Sequence, residues 1–264
     1  MIKHLRIARA FLRISWMNSI EYMNDFAVIC VDFIVTMIAT ILFWKYLLVD
    51  FQNLGQWQVA GLVLIGIFGN ASWAIGEVFA GAWGLSEKIT SGQLDKYLCR
   101  PVNAIYALVL EDMQLEELLK GVISLVALLI WHGITFQDEI NAINLLLAII
   151  SMLVGIVIVA LVRCIYSCFA FWFPNTEGLN MLIHMEDLQI DRYPLGIFNK
   201  PTRLLLISII PVGFIACIPA MFYMNMIAKP LMCLAFEIAI MMIMLFVLHI
   251  MWKGGIRKYE ATGG

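Results

Sequence analysis

Long apolar runs separated by short polar breaks make up most of this chain. A membrane-crossing helix takes about 20 mostly apolar residues. Five runs approach or exceed that length: Ala27 to Leu48, Val59 to Trp83, Leu118 to Ile134 (with a polar helical lead-in from Ala104), Ile143 to Phe173, and Pro230 to Trp252. The fourth is long enough to project beyond a bilayer. A sixth apolar run, Leu204 to Met226, carries Pro211 and Pro219. Between the fourth run and this one lies Pro174 to Arg203, which is polar and only weakly apolar.

Two layouts fit residues 174–229. In the first, Pro174 to Arg203 is a cytoplasmic loop and Leu204 to Met226 is the fifth span. In the second, Gly178 to about Ile190 begins a short fifth span, and the proline-bearing run forms a re-entrant hairpin on the outer side. Pro211 and Pro219 suit helices broken near a membrane surface. Lysine and arginine placement favours the first layout, because the second puts Arg192, Lys200, Arg203 and Lys229 outside.

The same rule sets the sidedness of the rest. The N-terminal segment carries Lys3, Arg6, Arg9 and Arg13, the loop after the second run carries Lys88, Lys96 and Arg100, and the tail carries Lys253, Arg257 and Lys258. The loops at 49–58 and 135–141 carry no lysine or arginine. Both termini and the 84–103 loop are therefore expected in the cytoplasm, which requires an even number of crossings, six. Composition agrees: 62% of the 264 residues are hydrophobic and 14% charged, against about half and a quarter in soluble domains. The expected fold class is an all-α integral membrane protein forming one domain over 1–264.

Residues 1–25 add an interfacial element. Lys3, Arg6, Arg9 and Arg13 recur at helical spacing, and Ile2, Leu5, Leu12 and Trp16 lie on another side, the pattern of a basic amphipathic helix in the membrane interface. No short apolar run with a small-residue cleavage site follows, so no cleavable signal peptide is expected. The net charge of −2 and the lack of a basic, aromatic-interleaved patch give no reason to expect a nucleic-acid partner.

The most unusual break is the loop "GLSEKITSGQLDKYLCRPVN", residues 84–103. Ser86 can cap a short helix that Gly92 ends. A second helical turn fits Gln93 to Cys99, with Leu94, Tyr97 and Leu98 on one side. Arg100–Pro101 stops it, because a residue before proline avoids helical backbone angles. A short amphipathic helix of this kind can dock leucines into a partner's groove with charges at the rim; it can also be a solvated connection between spans.

Here the chain resembles a known family. "SGQLDKYLCRPVN" looks like the G-x-L-D-x-x-L-x-R-P segment of ABC-2 type transporter permeases. "RYPLGIFNKPTRLLLISIIPVGFIACIPA" (Arg192 to Ala220) resembles the family's Y-P, P-x-x-L/R and I-P-V…I-P-A region, with Thr202–Arg203 in place of a longer apolar lead. "GGIRKYEATGG" resembles its G-x-R-x-Y-x-x-x-G ending. The resemblance runs in order over essentially the whole chain. It implies a dimer of six-span subunits, formed with an identical or related permease in a bacterial cytoplasmic membrane. A separate cytoplasmic ATPase subunit would bind ATP and magnesium and power export. The resemblance also implies that 84–103 is the coupling loop entering the ATPase groove. Glu87, Leu94, Asp95, Leu98 and Arg100 would then make the contact, with Gly92 and Pro101 setting the bend. It implies re-entrant helices over 192–226, marked by Pro194, Pro211 and Pro219, and so favours the second layout. The chain carries no G-x-x-x-x-G-K-[ST] phosphate-binding loop, which agrees with ATP being held by a partner.

Charges inside spans are costly and are functional suspects. Asp32, Glu77, Arg163 and Glu237 are the candidates, for substrate or gating contacts or for ion pairs that fix helix packing. Asp32 and Glu77 are near span ends, where side chains reach water. Arg163 is deeper and can meet a carboxylate such as Glu77. His4, His132, His184 and His249 are scattered without ligand spacing, and the six cysteines show no zinc pattern, so neither a metal site nor a cofactor on this chain is expected. "HMED", His184 to Asp187, supplies no positioned nucleophile and base, so an enzyme is not expected. Trp44, Trp57, Trp83, Trp131 and Trp252 fall near span ends, as an aromatic belt does. The rival function class is an ATP-independent secondary transporter or scaffold; the internal repeats common in secondary transporters are not seen.

Overall fold

The computed structural model describes residues 23–51, 57–78, 84–99, 103–111, 113–115, 117–136, 140–173 and 190–259. The N-terminal amphipathic segment up to residue 22, Arg100, Pro101, the start of the expected fifth span and the 184–187 cluster lie outside them.

All regular structure among these residues is helical: α1 Met23–Phe51, α2 Val59–Glu77, α3 Leu85–Thr90, α4 Asp95–Leu98, α5 Ala104–Glu111, α6 Glu117–Thr135, α7 Ala142–Cys168, α8 Lys200–Ser208, α9 Cys217–Tyr223 and α10 Pro230–Lys258. Short 3-10 turns cover Phe169–Phe171, Ile190–Arg192, Leu195–Ile197 and Val212–Phe214. Five of the helices, α1, α2, α6, α7 and α10, are long and apolar enough to cross a membrane. Their positions match the five apolar runs. The second is shorter than expected, because α2 ends at Glu77, and the polar lead-in to the third is a separate helix, α5.

The bundle is organised around α2. Its small residues Gly61, Gly66, Gly69, Ala71, Ser72 and Ala74 let neighbours approach closely, as membrane helix interfaces require, and two thirds of it is buried. It packs most extensively on α6 and also against α1, α7 and α9. By contrast α6 and α10 are 17% and 11% buried, exposing leucine, isoleucine and methionine outward as lipid-facing helices do. The tryptophans expected at a membrane belt are partly used inside the protein. Trp44 and Trp57 are buried, and the Trp131 indole N–H donates to the Ala60 carbonyl at 3.1 Å.

The proline-bearing run is a sharply bent pair of helices rather than one straight helix. Asn199 caps α8 by accepting the Thr202 N–H at 3.0 Å, and α8 meets Val212–Tyr223 at a 78° bend. Pro211 sits at the break, with Pro219 in the first turn of α9, where the missing N–H costs nothing. Carbonyls that the break takes out of the helical ladder are satisfied by side chains of other helices. The Tyr166 hydroxyl donates to the Ile209 carbonyl at 2.6 Å, and the Ser72 hydroxyl donates to the Ile215 carbonyl at 2.5 Å. Broken backbone survives at membrane depth only with such partners. Gly155 of α7 packs directly on the Phe214 carbonyl, a place any Cβ would occupy. The bent segment therefore runs along α7 from Tyr166, near its C-terminal end, to Gly155 at its middle. From there the chain crosses to Tyr223, whose hydroxyl meets His132 Nδ1 at 2.8 Å near the opposite end of the bundle.

Candidate functional site

The punctuated loop folds as two short helices, α3 and α4, which with α5 pack against the C-terminal ends of α7 and α10. Gly92 has φ 76°, a backbone angle that glycine adopts without strain. It turns the chain out of α3, and the Leu94 N–H closes the turn on the Lys88 carbonyl at 2.9 Å. Ser86 lies inside α3 and is not its cap; Gly84 holds that position. Asn103 caps α5, accepting from the Ile105 and Tyr106 N–H groups.

One side of this loop is buried. Leu85, Ile89, Leu94, Tyr97, Ala104 and Leu108 pack with Leu161, Cys164, Ile165 and Cys168 of α7, with Phe171, and with Leu248 of α10. Leu94 and Tyr97 are fully buried. The opposite side carries Glu87, Thr90, Gln93, Lys96, Leu98 and Cys99, all exposed, with Asp95 half-buried at the edge. The residues expected to meet a partner therefore divide. Glu87, Asp95 and Leu98 lie on the outward side, whereas Leu94 is an internal anchor of this chain. Lys88 and Lys96 place their ammonium groups 5.6 and 4.7 Å from the Tyr97 ring centre, cation–π contacts that hold the outward charges over the buried ring.

The end of α10 completes the site. Gly255 packs face-on against the Phe171 ring, which leaves no room for a side chain. Trp252 and Tyr259 stand edge-on to the same ring at 5.7 and 6.0 Å. This explains the glycine and tyrosine of the tail pattern: the first admits Phe171 and the second closes over it. Burial, and after it the neighbouring Asp95 carboxylate, push the Tyr259 phenol up to about 12. Among the described residues its oxygen has no well-formed hydrogen bond, so the Asp95 influence acts through proximity.

The polar residues of the spans form two separate groups. Arg163 stacks on the Trp73 ring at 4.9 Å and has Glu77 as its electrostatic neighbour. The Trp73 indole N–H donates to Asp191 Oδ2 at 3.0 Å. Asp191 is buried above Gly69, where a Cβ would sit 2.8 Å from the same oxygen. Glu237 is fully buried between α10 and α7 and accepts a hydrogen bond from the Ser151 hydroxyl at 3.0 Å. Trp73, Asp191, Ser151 and Phe171 were not singled out from the sequence. A glycine opposite a lone carboxylate and a Gly254–Gly255 pair inside a helical run were the available signals. No group of histidine, cysteine and carboxylate side chains suited to a metal occurs among the described residues.

The family model for ABC-2 family transporter proteins matches residues 34–263. The chain belongs to this family. It is thus a multi-pass membrane protein of the ABC-2 permease type, a transport subunit in a family that associates with ATP-binding subunits. No curated protein and no solved structure matches it.

Proposed function

We propose that this chain is the membrane subunit of an ATP-driven exporter, and that the outward side of residues 84–99 receives the motion of a separate cytoplasmic ATPase. The observation carrying this reading is the two-sided loop. Its inner side is locked to α7 and α10 by Leu94, Tyr97 and Phe171, and its outer side offers Glu87, Asp95 and Leu98 to a groove. Force applied outside therefore reaches two long helices without an intervening flexible joint. Arg100 and Pro101 continue the same segment in sequence and belong to this reading. The working unit is two permease subunits, identical or related, with ATP and magnesium on the ATPases, in a bacterial cytoplasmic membrane with both termini inside. Residues 192–226, with Pro194, Pro211 and Pro219, form its re-entrant element, and Arg163, Glu77 and Glu237 are its internal polar contacts.

The test is a mild-detergent pull-down of the tagged chain from its native membrane, with mass spectrometry and an ATPase assay on the eluate. A stoichiometric nucleotide-binding subunit with vanadate-sensitive activity supports the exporter. A chain that elutes alone, folded by thermal melt and without activity, moves the ATP-independent transporter or scaffold to the front.

A further inference from the structure

Two cavities on α1 share lining residues and differ in character. The first, about 200 Å³, lies where the start of α1, the end of α2 and the start of α6 come together. It is lined by Asp32, Trp73, Glu77, Glu117, Lys120 and Arg192. The second, about 400 Å³, continues along α1 and is lined by Val35, Ala39, Phe43, Trp44 and Tyr193. Thr36 and Arg192 border both. Charges of both signs at one end and an apolar trough at the other describe the shape of an amphipathic molecule.

The charges narrow its class. Lys120 Nζ is held 2.7 Å from Glu117 Oε1, which fixes the ammonium in the cleft. Glu77 has Arg163 as its electrostatic neighbour, and Asp191 draws on Arg192. Asp32 is exposed at the rim. Lys120 and Arg192 are the cations that a phosphate in the cleft would meet, and Asp32 is the carboxylate that an ammonium would meet. The trough is flanked by Val31, Ile34, Val35 and Ile38 of α1, which are all more than half exposed, so an acyl chain can enter from the side.

We propose that this pair of cavities, within one protomer, binds a zwitterionic phospholipid with a primary amine. Its phosphoethanolamine group occupies the charged cleft, and one acyl chain lies along α1 over Ala39 and Phe43. The site requires only the membrane-embedded chain and does not depend on ATPase coupling.

The test is native mass spectrometry of the delipidated full chain in detergent, titrated with dioleoyl phosphatidylethanolamine, dioleoyl phosphatidylglycerol, dioleoylglycerol and soluble glycerophosphoethanolamine. Phosphatidylethanolamine should bind about tenfold more tightly than the other three, the scale of one well-placed charge-assisted contact. Asp32→Asn, at an exposed rim position, should remove most of the preference over phosphatidylglycerol. Ala39→Phe should weaken phosphatidylethanolamine by filling the trough, and thermal melts should show both variants folded. Equal binding of the three lipids, or an unchanged preference in Asp32→Asn, overturns the headgroup assignment. Soluble glycerophosphoethanolamine binding as well as the lipid, or unchanged lipid binding in Ala39→Phe, overturns the acyl-chain trough.

Discussion

Leu94 and Leu98 lie one turn apart on the same short segment, yet the structure gives them opposite surroundings, and replacing each in turn separates internal anchoring from partner contact. Leu94 is fully buried against α7 and α10, and Leu98 is 38% exposed. Leu94→Ala removes a buried side chain that has little room to collapse, and such changes cost about 2–5 kcal/mol. Taking about 3 kcal/mol and 2–4 °C per kcal/mol, the melting temperature should fall by roughly 6–12 °C. Leu98→Ala forfeits only part of a leucine's burial, about 1 kcal/mol, and should melt within a few degrees of the parent. In the pull-down the order reverses. Leu98→Ala, combined with Glu87→Ala, should reduce recovery of the ATPase about tenfold, the effect of losing a contact near an interface centre. Leu94→Ala should retain binding in proportion to its folded fraction. The two readouts are thermal melting in detergent and ATPase recovered per folded permease. Leu98→Ala melting as low as Leu94→Ala, or a double variant that binds the ATPase normally, would refute the two-sided description.

Gly255→Val should lower the melting temperature through overpacking against Phe171, a cost of about 1–3 kcal/mol, whereas Gly254→Ala, whose Cβ would sit 3.6 Å from Trp172, should be close to neutral. Trp73→Phe keeps a ring beneath Arg163 but leaves the buried Asp191 without its donor, a loss of about 1–3 kcal/mol, read by the same melt. Tyr259 has a folded-state value raised above that of the unfolded chain, so its contribution to stability is complete below about 10, is lost as pH rises towards about 12, and should vanish from the alkaline melting profile in Tyr259→Phe. Asn199→Cys in intact cells should react with a membrane-impermeant maleimide; no labelling from outside sinks the outer placement of the re-entrant segment.

The long spans were legible because the bilayer forces about 20 apolar residues into every crossing helix, and α1, α6, α7 and α10 follow the apolar runs closely. The end of α2 was not, because the apolar residues of 78–83 continue the pattern past the helix. Which side of the 93–99 turn faces inward was also hidden. Leu94, Tyr97 and Leu98 read as one apolar side, and only the position of α7 decides that the first two are buried and the third is not. The polar groups were half visible. Arg163 and Glu237 stood out as charges in apolar runs, and Glu77 was a natural neighbour for Arg163. Their other contacts, Trp73 and Ser151, are residues of ordinary kind far away in sequence, and nothing in local spacing marks them.

The three parts of the chain that resisted local reading converge on α7. Its last turns hold the loop through Leu161, Cys164, Ile165 and Cys168, its middle accepts the bent segment at Gly155, and Ser151 holds Glu237 of α10. A helix rises 1.5 Å per residue, so about 26 Å separates Cys168 from Ser151. Over that length the i to i−4 hydrogen bonds keep a helix stiff, and α7 contains no proline to bend it. Under the proposed coupling, a displacement imposed on Leu94 and Tyr97 would therefore reach Phe214 and Glu237 through α7. Arg163 lies on the same rod, within the turns that hold the loop, stacked on Trp73 of α2. That placement requires α7 either to carry α2 with it or to break a cation–π contact shielded from water. Under the proposed coupling, the Arg163–Trp73 pair is thus one contact that a push on the loop would either carry along with α2 or break as α7 slides past it.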